Sequence, residues 1–469
     1  MQRSFFLVML LGIICAVAPA WGQNAPTSEI EALQAENAHL RDRVDALEKA
    51  LAEINDKLSA RPVAAGPIEA AALTTSAAPA KPAAPAKPAI TSKYNVDLYG
   101  YLKLDMAWDR ARSDTGNFAR WTLSESAVAP NDRQFSQTIN QTRFGFNFKG
   151  PEAGKAKVSG QYEVDLYGGG AENSAMIRTR HAFFQVDWPE DVSLLMGQTW
   201  DLIGPLNPNT LNYTVAWQAG NIGFRHPQLR LSKGIKAGDG KVLVQVAASR
   251  KVGDATAFSS SPDTGADSGS PAFQGRIGYT FPTSKVQKGS IGVWGHSGND
   301  EYDYNAAGDN VSVKSSSKGV DLNIALDKRF AFKGEVWEGR NLDEYQGGIG
   351  NGVIVTSASG TYFNNAAFGG RFFNAQALKS KGGWFELNVG PFQQWRYNLG
   401  MSVDNPDDEL LPNANASSRT KNRTRWINAL CDLNEAVQMG LEYMRIETAY
   451  KGRLDGDDTR LQSSFIYKF

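Results

Sequence analysis

The chain has 469 residues in which 49 lysines and arginines balance 49 aspartates and glutamates, so no net charge drives it onto nucleic acid. Beyond residue 22 no run of 18 apolar residues exists, which excludes helical membrane spans. With 46 glycines and an aromatic content of 10%, the composition suits β-structure in short alternating segments.

Residues 1–22 have the layout of a secretory signal peptide. Arg3 is followed by a charge-free apolar run from Phe5 to Ala18, with small residues at Ala18, Ala20 and Gly22. Ile14 precedes Cys15 where a lipoprotein signal needs a small residue, so lipidation is disfavoured. Removal of this segment takes Arg3 and Cys15 with it. That leaves 48 basic residues against 49 acidic ones, and Cys431 as the one cysteine, so an intrachain disulfide is excluded.

Residues 28–58 read as a coiled coil. Ile30, Asn37, Val44, Leu51 and Leu58 occupy a positions, and Leu33, Leu40, Leu47 and Ile54 occupy d positions. Glu36 at g faces Arg41 at e of the next heptad, and Arg43 faces Glu48; both pairings attract between parallel identical chains. Asn37 costs stability and pins register, while β-branched residues at a with leucine at d lean toward two strands. Residues 59–93, rich in alanine and proline with a near-repeat of "AAPAKP", form an extended spacer that buries no core. At about 3.1 Å per residue it would reach roughly 100 Å.

From residue 94 to 469 the pattern alternates with period two. Leu98, Leu102, Leu104, Met106 and Trp108 oppose Tyr99, Tyr101, Lys103 and Asp105, and Phe144, Phe146 and Phe148 oppose Arg143 and Asn147. The closing segment "LQSSFIYKF" sets Leu461, Phe465, Tyr467 and Phe469 against Gln462, Ser464 and Lys468. Sixteen strands are expected, with joints that alternate short (149–155, 188–191, 327–328, 390–393, 432–435) and long (109–138, 201–222, 251–271, 299–310, 341–370, 403–419). An even strand count with long loops at one end and tight turns at the other describes an all-β, 16-stranded antiparallel transmembrane β-barrel, apolar faces to lipid and polar faces to the lumen. Sixteen strands leave an aqueous channel, whereas about eight would be filled by side chains. The stretch 201–222, which carries Pro205, Pro208 and several asparagines and aromatics, is the candidate to fold inward as a constriction; the competing reading is a surface loop of no special role.

The coiled coil, the spacer, "YGYLKLDMAWD", "RTRHAFFQV", "GQTWDLIGPLNPNTLNY", "AGNIGFRHPQLRLSK" and the terminal Phe469 together resemble the DcaP-like family of outer-membrane porins. The resemblance implies a sixteen-stranded homotrimeric channel in the outer membrane, a periplasmic coiled coil, and passage of small anions such as dicarboxylates. The trimer stands against the dimer lean of the heptads.

The pore and constriction candidates are Lys103, Arg143, Arg178, Arg180, Arg225 and Arg230, joined by Trp200 and Asp201 at the start of the long loop. A ring of arginine or lysine favours anions. Asp105, Glu163, Asp165, Asp321, Glu335, Glu386 and Glu442 share lumen parity, so the lumen is mixed. Arg178 and Arg180 share parity with lipid-facing Ala182 and Phe184; either a bulge turns them inward or they sit at the rim. Catalysis is not expected, since no serine nucleophile motif stands near His181 or His296. Four scattered histidines (His39, His181, His226 and His296) and one cysteine make no transition-metal site, and no cofactor is implied. The acidic stretches 299–305 and 404–409 lack the spacing of a calcium loop and read as solvated loops. The alternative function is a general porin without anion preference whose coiled coil tethers the outer membrane to peptidoglycan.

Overall fold

The computed structural model describes residues 94–469 apart from 126–131, 170–173, 253–262, 285–286, 304–309 and 357–373. The signal peptide, the coiled coil and the spacer lie outside the described residues.

The strands are β1 (Asn95–Asp109), β2 in two pieces (Gln134–Thr138 and Arg143–Lys149), β3 (Lys157–Asp165), β4 (Arg178–Trp188), β5 (Val192–Trp200), β6 (Arg225–Ala237), β7 (Gly240–Ser249) and β8 (Ala272–Pro282). They continue as β9 (Lys288–Asp303), β10 (Asn310–Ala325), β11 (Phe330–Arg340), β12 (Lys379–Phe392), β13 (Trp395–Pro406), β14 (Arg419–Asp432), β15 (Val437–Tyr450) and β16 (Gly456–Lys468). Each pairs antiparallel with its successor, and β1 closes the ring by pairing with β16, Leu102 opposite Tyr467 and Trp108 opposite Leu461. The two pieces of β2 both pair with β1, Trp108 opposite Phe135 and Tyr101 opposite Arg143, so they count as one interrupted strand and the barrel has sixteen.

The wall is inverted relative to a soluble protein. On β1, Leu98, Leu102 and Trp108 are exposed on the outer face, while Lys103, Asp105 and Asp109 are buried inside. On β16, Leu461, Phe465 and Tyr467 point out and Gln462 and Ser464 point in. Phe469 exchanges backbone hydrogen bonds with Gly100 (3.1 and 3.2 Å), which seats the terminal ring on the outer wall. Phe148, Trp188, Phe330, Trp395 and Tyr397 join it at the tight-turn end, the composition of an interfacial girdle.

Apolar packing also exists inside the barrel. Trp384, Trp426, Met444 and Ile446 cluster with Ala119 and Ala216, and Trp294 and Trp337 cluster with Ile203, Ile222, Leu342 and Tyr345. The indoles lie on neighbouring glycines: a Cβ at Gly400 would stand 2.1 Å from the Trp426 ring, and one at Gly319 would stand 2.3 Å from that of Trp294.

The joint at 299–310 is shorter than its composition suggests. Asp300 pairs opposite Val313 and Tyr302 opposite Val311, so the ladder runs to Asp303. Similarly, Gln134–Thr138 is strand within the joint at 109–138, and β13 runs on to Pro406. Polar residues there mark strand that rises above the apolar belt; the backbone pairing does not depend on the belt. Two acidic residues of these stretches are engaged as well, Asp300 by Lys251 and Asn341 (2.6 Å), and Asp404 by Ser380 (2.5 Å).

Candidate pore constriction

The connection 201–224 between β5 and β6 folds into the barrel. Its neck is closed by two bonds between the same residues: Asp201 N donates to the Phe224 carbonyl (2.9 Å), and Phe224 N donates to the Asp201 side-chain carboxylate (2.9 Å). His226 Nδ1 stands 2.9 Å from the same carboxylate, which also accepts from Gln274 (2.8 Å). Gly204 is required here, because at φ +55° a Cβ would lie 1.9 Å from Ile222 O.

A loop crossing a lumen brings backbone amides with no ladder to satisfy them. Three wall glutamates meet that need. Glu335 accepts from Leu206 N (2.8 Å), Glu386 from Asn209 N (2.8 Å), and Glu442 from Leu211 N (2.7 Å) and Asn212 N (3.0 Å). Donors serve the carbonyls in turn: Asn428 to Asn209 O (2.6 Å), Lys103 Nζ to Leu211 O (3.2 Å), Trp337 Nε1 to Gly220 O (2.6 Å). The tip turns on left-handed Val215, Ala216 and Gln218 (φ 46°, 62° and 61°), a local strain held by the packing around it. The connection 341–352 also enters, giving Gly223 N an acceptor at Tyr345 O (2.7 Å) and Gln218 N one at Gln346 O (2.8 Å).

The loop therefore packs against β11–β16 and faces the wall of β2–β8, which carries arginines. Arg178 and Arg180 both point inward. The pairing shifts between Glu163 opposite His181 and Val164 opposite Thr179, so Arg180 is an extra residue on β4 and parity resets there. Arg178 grips Asp165 with two bonds (3.0 and 2.7 Å), Arg180 bonds Glu163 (2.6 Å) and Asp165 (3.1 Å), and Arg143 Nε lies 3.6 Å from Glu163. Tyr213 of the loop donates to Asp165 (2.7 Å), accepts from both arginines, and stacks on Tyr167 with centroids 4.5 Å apart. Arg225 is buried, with its guanidinium 4.6 Å from the Trp200 ring centre and 4.5 Å from that of Phe224. Both of its Nη atoms lack a hydrogen-bond partner among the described residues. Arg230 bonds Gln228 (2.9 Å) and the Trp200 carbonyl and has no carboxylate in ion-pair range among the described residues. Arg230 borders a cavity of about 210 Å³ with Trp200, Asn207, Gln245 and Arg276.

Of the eight residues singled out from the sequence, Arg143, Arg178, Arg180, Trp200, Arg225 and Arg230 gather on one wall. Lys103 and Asp201 instead hold the loop, Lys103 from β1 beside Asp105 (3.2 Å) and Asp201 at the neck. Arg276 is bound by Asp321 (2.7 Å), and Arg396 by Asp432 (2.7 Å) near the tight turns. Sequence reasoning missed Tyr213 and the anchoring role of the three glutamates; their shared inward parity opposite an asparagine-rich loop was the available signal. His181 meets Thr199 (3.0 Å), and His296 sits between Ser317 (2.6 Å) and Ser315 (3.0 Å), all buried. Among the described residues no group of three or more histidine, cysteine or acidic side chains is placed to hold a metal.

No family model matches the chain, and the search of curated proteins gives no match. Solved structures do match. The outer-membrane channel DcaP of Acinetobacter baumannii aligns at a TM-score of 0.59 with 19% identity, over 81% of this chain and 99% of that one. OmpF of Salmonella typhi, solved with daunomycin, aligns at 0.52 with 12% identity, over 80% of this chain and 98% of that one. The closed sixteen-stranded wall and the structural likeness agree: this chain shares the fold of the outer-membrane channel DcaP and of OmpF.

Proposed function

We propose that the protein is a DcaP-like outer-membrane porin, a passive channel for small hydrophilic solutes that favours anions such as dicarboxylates. One observation carries the anion preference: Arg225 and Arg230 stand on the wall facing the loop without a carboxylate partner among the described residues, and both Nη atoms of Arg225 are unpaired. A guanidinium presents a fork that matches a carboxylate, and positive charge at a narrow point favours anions. The mixed charge of the lumen supports this reading once it is sorted by wall. Glu335, Glu386 and Glu442 are engaged by loop amides, while the wall that carries Arg143, Arg178, Arg180, Arg225, Arg230 and Arg276 meets Glu163, Asp165, Asp201 at the neck and, from β10, Asp321.

In this reading the long connections face outside the cell and the tight turns face the periplasm. The chain assembles as a homotrimer, with the heptads of 28–58 aiding assembly below the membrane. Flux through the reconstituted protein tests the proposal. Liposomes should swell faster in succinate than in an uncharged solute of equal size, and equal or reversed rates would overturn the anion preference. The heptads and spacer favour a second role, attachment to peptidoglycan. Deleting 28–93 should then cause envelope defects with conductance intact.

A further inference from the structure

The outer wall of β9–β15 departs from an apolar belt at its long-loop end. Lys318, Lys381, Lys421, Arg423, Arg425 and Arg445 project outward there on neighbouring strands. In the ladders Lys318 lies opposite Glu338, Glu338 opposite Lys381, and Arg425 opposite Arg445. The acids in these ladders are engaged: Glu338 by Lys318 (2.8 Å), Glu447, which lies opposite Arg423, by Arg425 (3.1 Å) and Arg445 (3.4 Å), and Asp457 by Arg445 (2.6 Å). Asp407 and Asp408 border the same pocket as Lys381 and Lys421. Lys381, Lys421 and Arg423 have no carboxylate within ion-pair distance among the described residues, so none of the three is neutralised by a direct ion pair.

Two apolar grooves continue from this patch toward the tight turns. The upper, about 920 Å³, is floored by Val293, Val320, Val336 and Val403, with Lys381, Lys421 and Arg423 at its edge. Gly383, between Val336 and Val403 in the ladder, adds no side chain to that floor. The lower, about 510 Å³, is lined by Phe332, Phe385, Leu399, Met401 and Ile427, with Arg425 beside it. Hydrocarbon tails satisfy such grooves, but a zwitterionic headgroup brings no surplus negative charge to answer three unpaired cations. Lysine is depleted from the cores of protein interfaces, which disfavours a second copy of this chain as the occupant.

We propose that this face is a binding site for a lipid carrying more than one phosphate, its phosphates on Lys381, Lys421 and Arg423 and its acyl chains in the two grooves. The site shares with the functional reading only the placement of the barrel in a membrane. Native mass spectrometry of the full chain, purified in detergent and mixed with bis-phosphorylated lipid A or its dephosphorylated form, tests it. The wild type should retain the phosphorylated lipid, and the retained fraction should fall with added salt as exposed charges are screened. The combined Lys381→Gln, Lys421→Gln, Arg423→Gln variant should retain at least tenfold less, while Lys233→Gln with Lys241→Gln, near the tight turns, should match the wild type. Heat-modifiable mobility confirms the barrel, and should the combined variant not fold, Lys421→Gln alone should lower retention about threefold. Equal retention by variant and wild type, or of both lipids by the wild type, would overturn the site; so would loss of oligomer in the variant with no lipid bound to the wild type. Channel conductance should be unchanged throughout, so failure here leaves the porin reading standing.

Discussion

Replacing Glu442 by alanine removes the carboxylate that accepts from Leu211 N (2.7 Å), Asn212 N (3.0 Å) and Asn428 Nδ2 (2.9 Å). Hydrogen bonds to a charged acceptor contribute about 1.5–3 kcal/mol each, and a buried donor left without a partner costs a comparable amount. Glu442 is 1% exposed, so solvent does not replace it while the loop stays seated. If water satisfies the donors once the segment lifts, two bonds at the low end of the range leave about 3 kcal/mol of docking free energy lost, roughly a hundredfold in the seated fraction. The change is local, because Glu335 and Glu386 still hold Leu206 and Asn209 and the neck still closes at Asp201. Tyr213 lies in the freed segment and would leave Arg178 and Asp165 with it. Single-channel recording in 1 M KCl, where the Debye length is about 3 Å, reads width more than fixed charge. The expected result is a larger mean conductance with added open-channel noise, and a smaller effect for Glu442→Gln, which keeps one acceptor oxygen. A folded Ala variant with wild-type conductance and noise would refute the claim that this carboxylate seats the loop.

Gly220→Ala should lower the temperature at which the barrel loses its heat-modifiable mobility, since at φ +127° a Cβ would lie 2.4 Å from Gly383 O. Gly116→Ala, whose nearest neighbour would be 3.5 Å away, should stay within about 0.5 kcal/mol of the wild type by the same measurement. Asn37→Leu should raise the thermal stability of an isolated 28–60 peptide and loosen its oligomeric state, seen by circular dichroism and sedimentation. Asp408→Cys should take a membrane-impermeant maleimide on intact cells and Glu190→Cys should not; the native Cys431 is buried and stays silent.

The barrel was legible because one face of each strand had to meet lipid. Leu102, Trp108, Leu399 and Met401 announce that face by parity alone, and the strand count follows. Where strands rise above the belt, as at Asn299–Tyr302, the requirement lapses and pairing is no longer written in hydropathy. Parity alone left Arg178 and Arg180 either turned inward by a bulge or held at the rim; the bulge at Arg180 turns them inward, since one extra residue reverses every side chain beyond it. The inward course of 201–224 was suggested by its length and prolines, but its seating depends on Glu335, Glu386 and Glu442, which arrive from distant strands and looked like ordinary lumen acids. Sequence order cannot show that those acids are consumed on one wall while the arginines collect on the other.

The central claim is that Arg225 and Arg230, which have no carboxylate partner among the described residues, set the sign of selectivity. The most direct measurement is the reversal potential of the full chain in a planar bilayer under a KCl gradient, for the wild type and for Arg225→Glu and Arg230→Glu. The wild type should give the sign of an anion-preferring pore, and each charge reversal should move the potential toward the cation limit, because fixed charge beside the inward loop outweighs charge in a wide vestibule. A cation-preferring wild type, or one whose potential ignores both substitutions, would contradict the account.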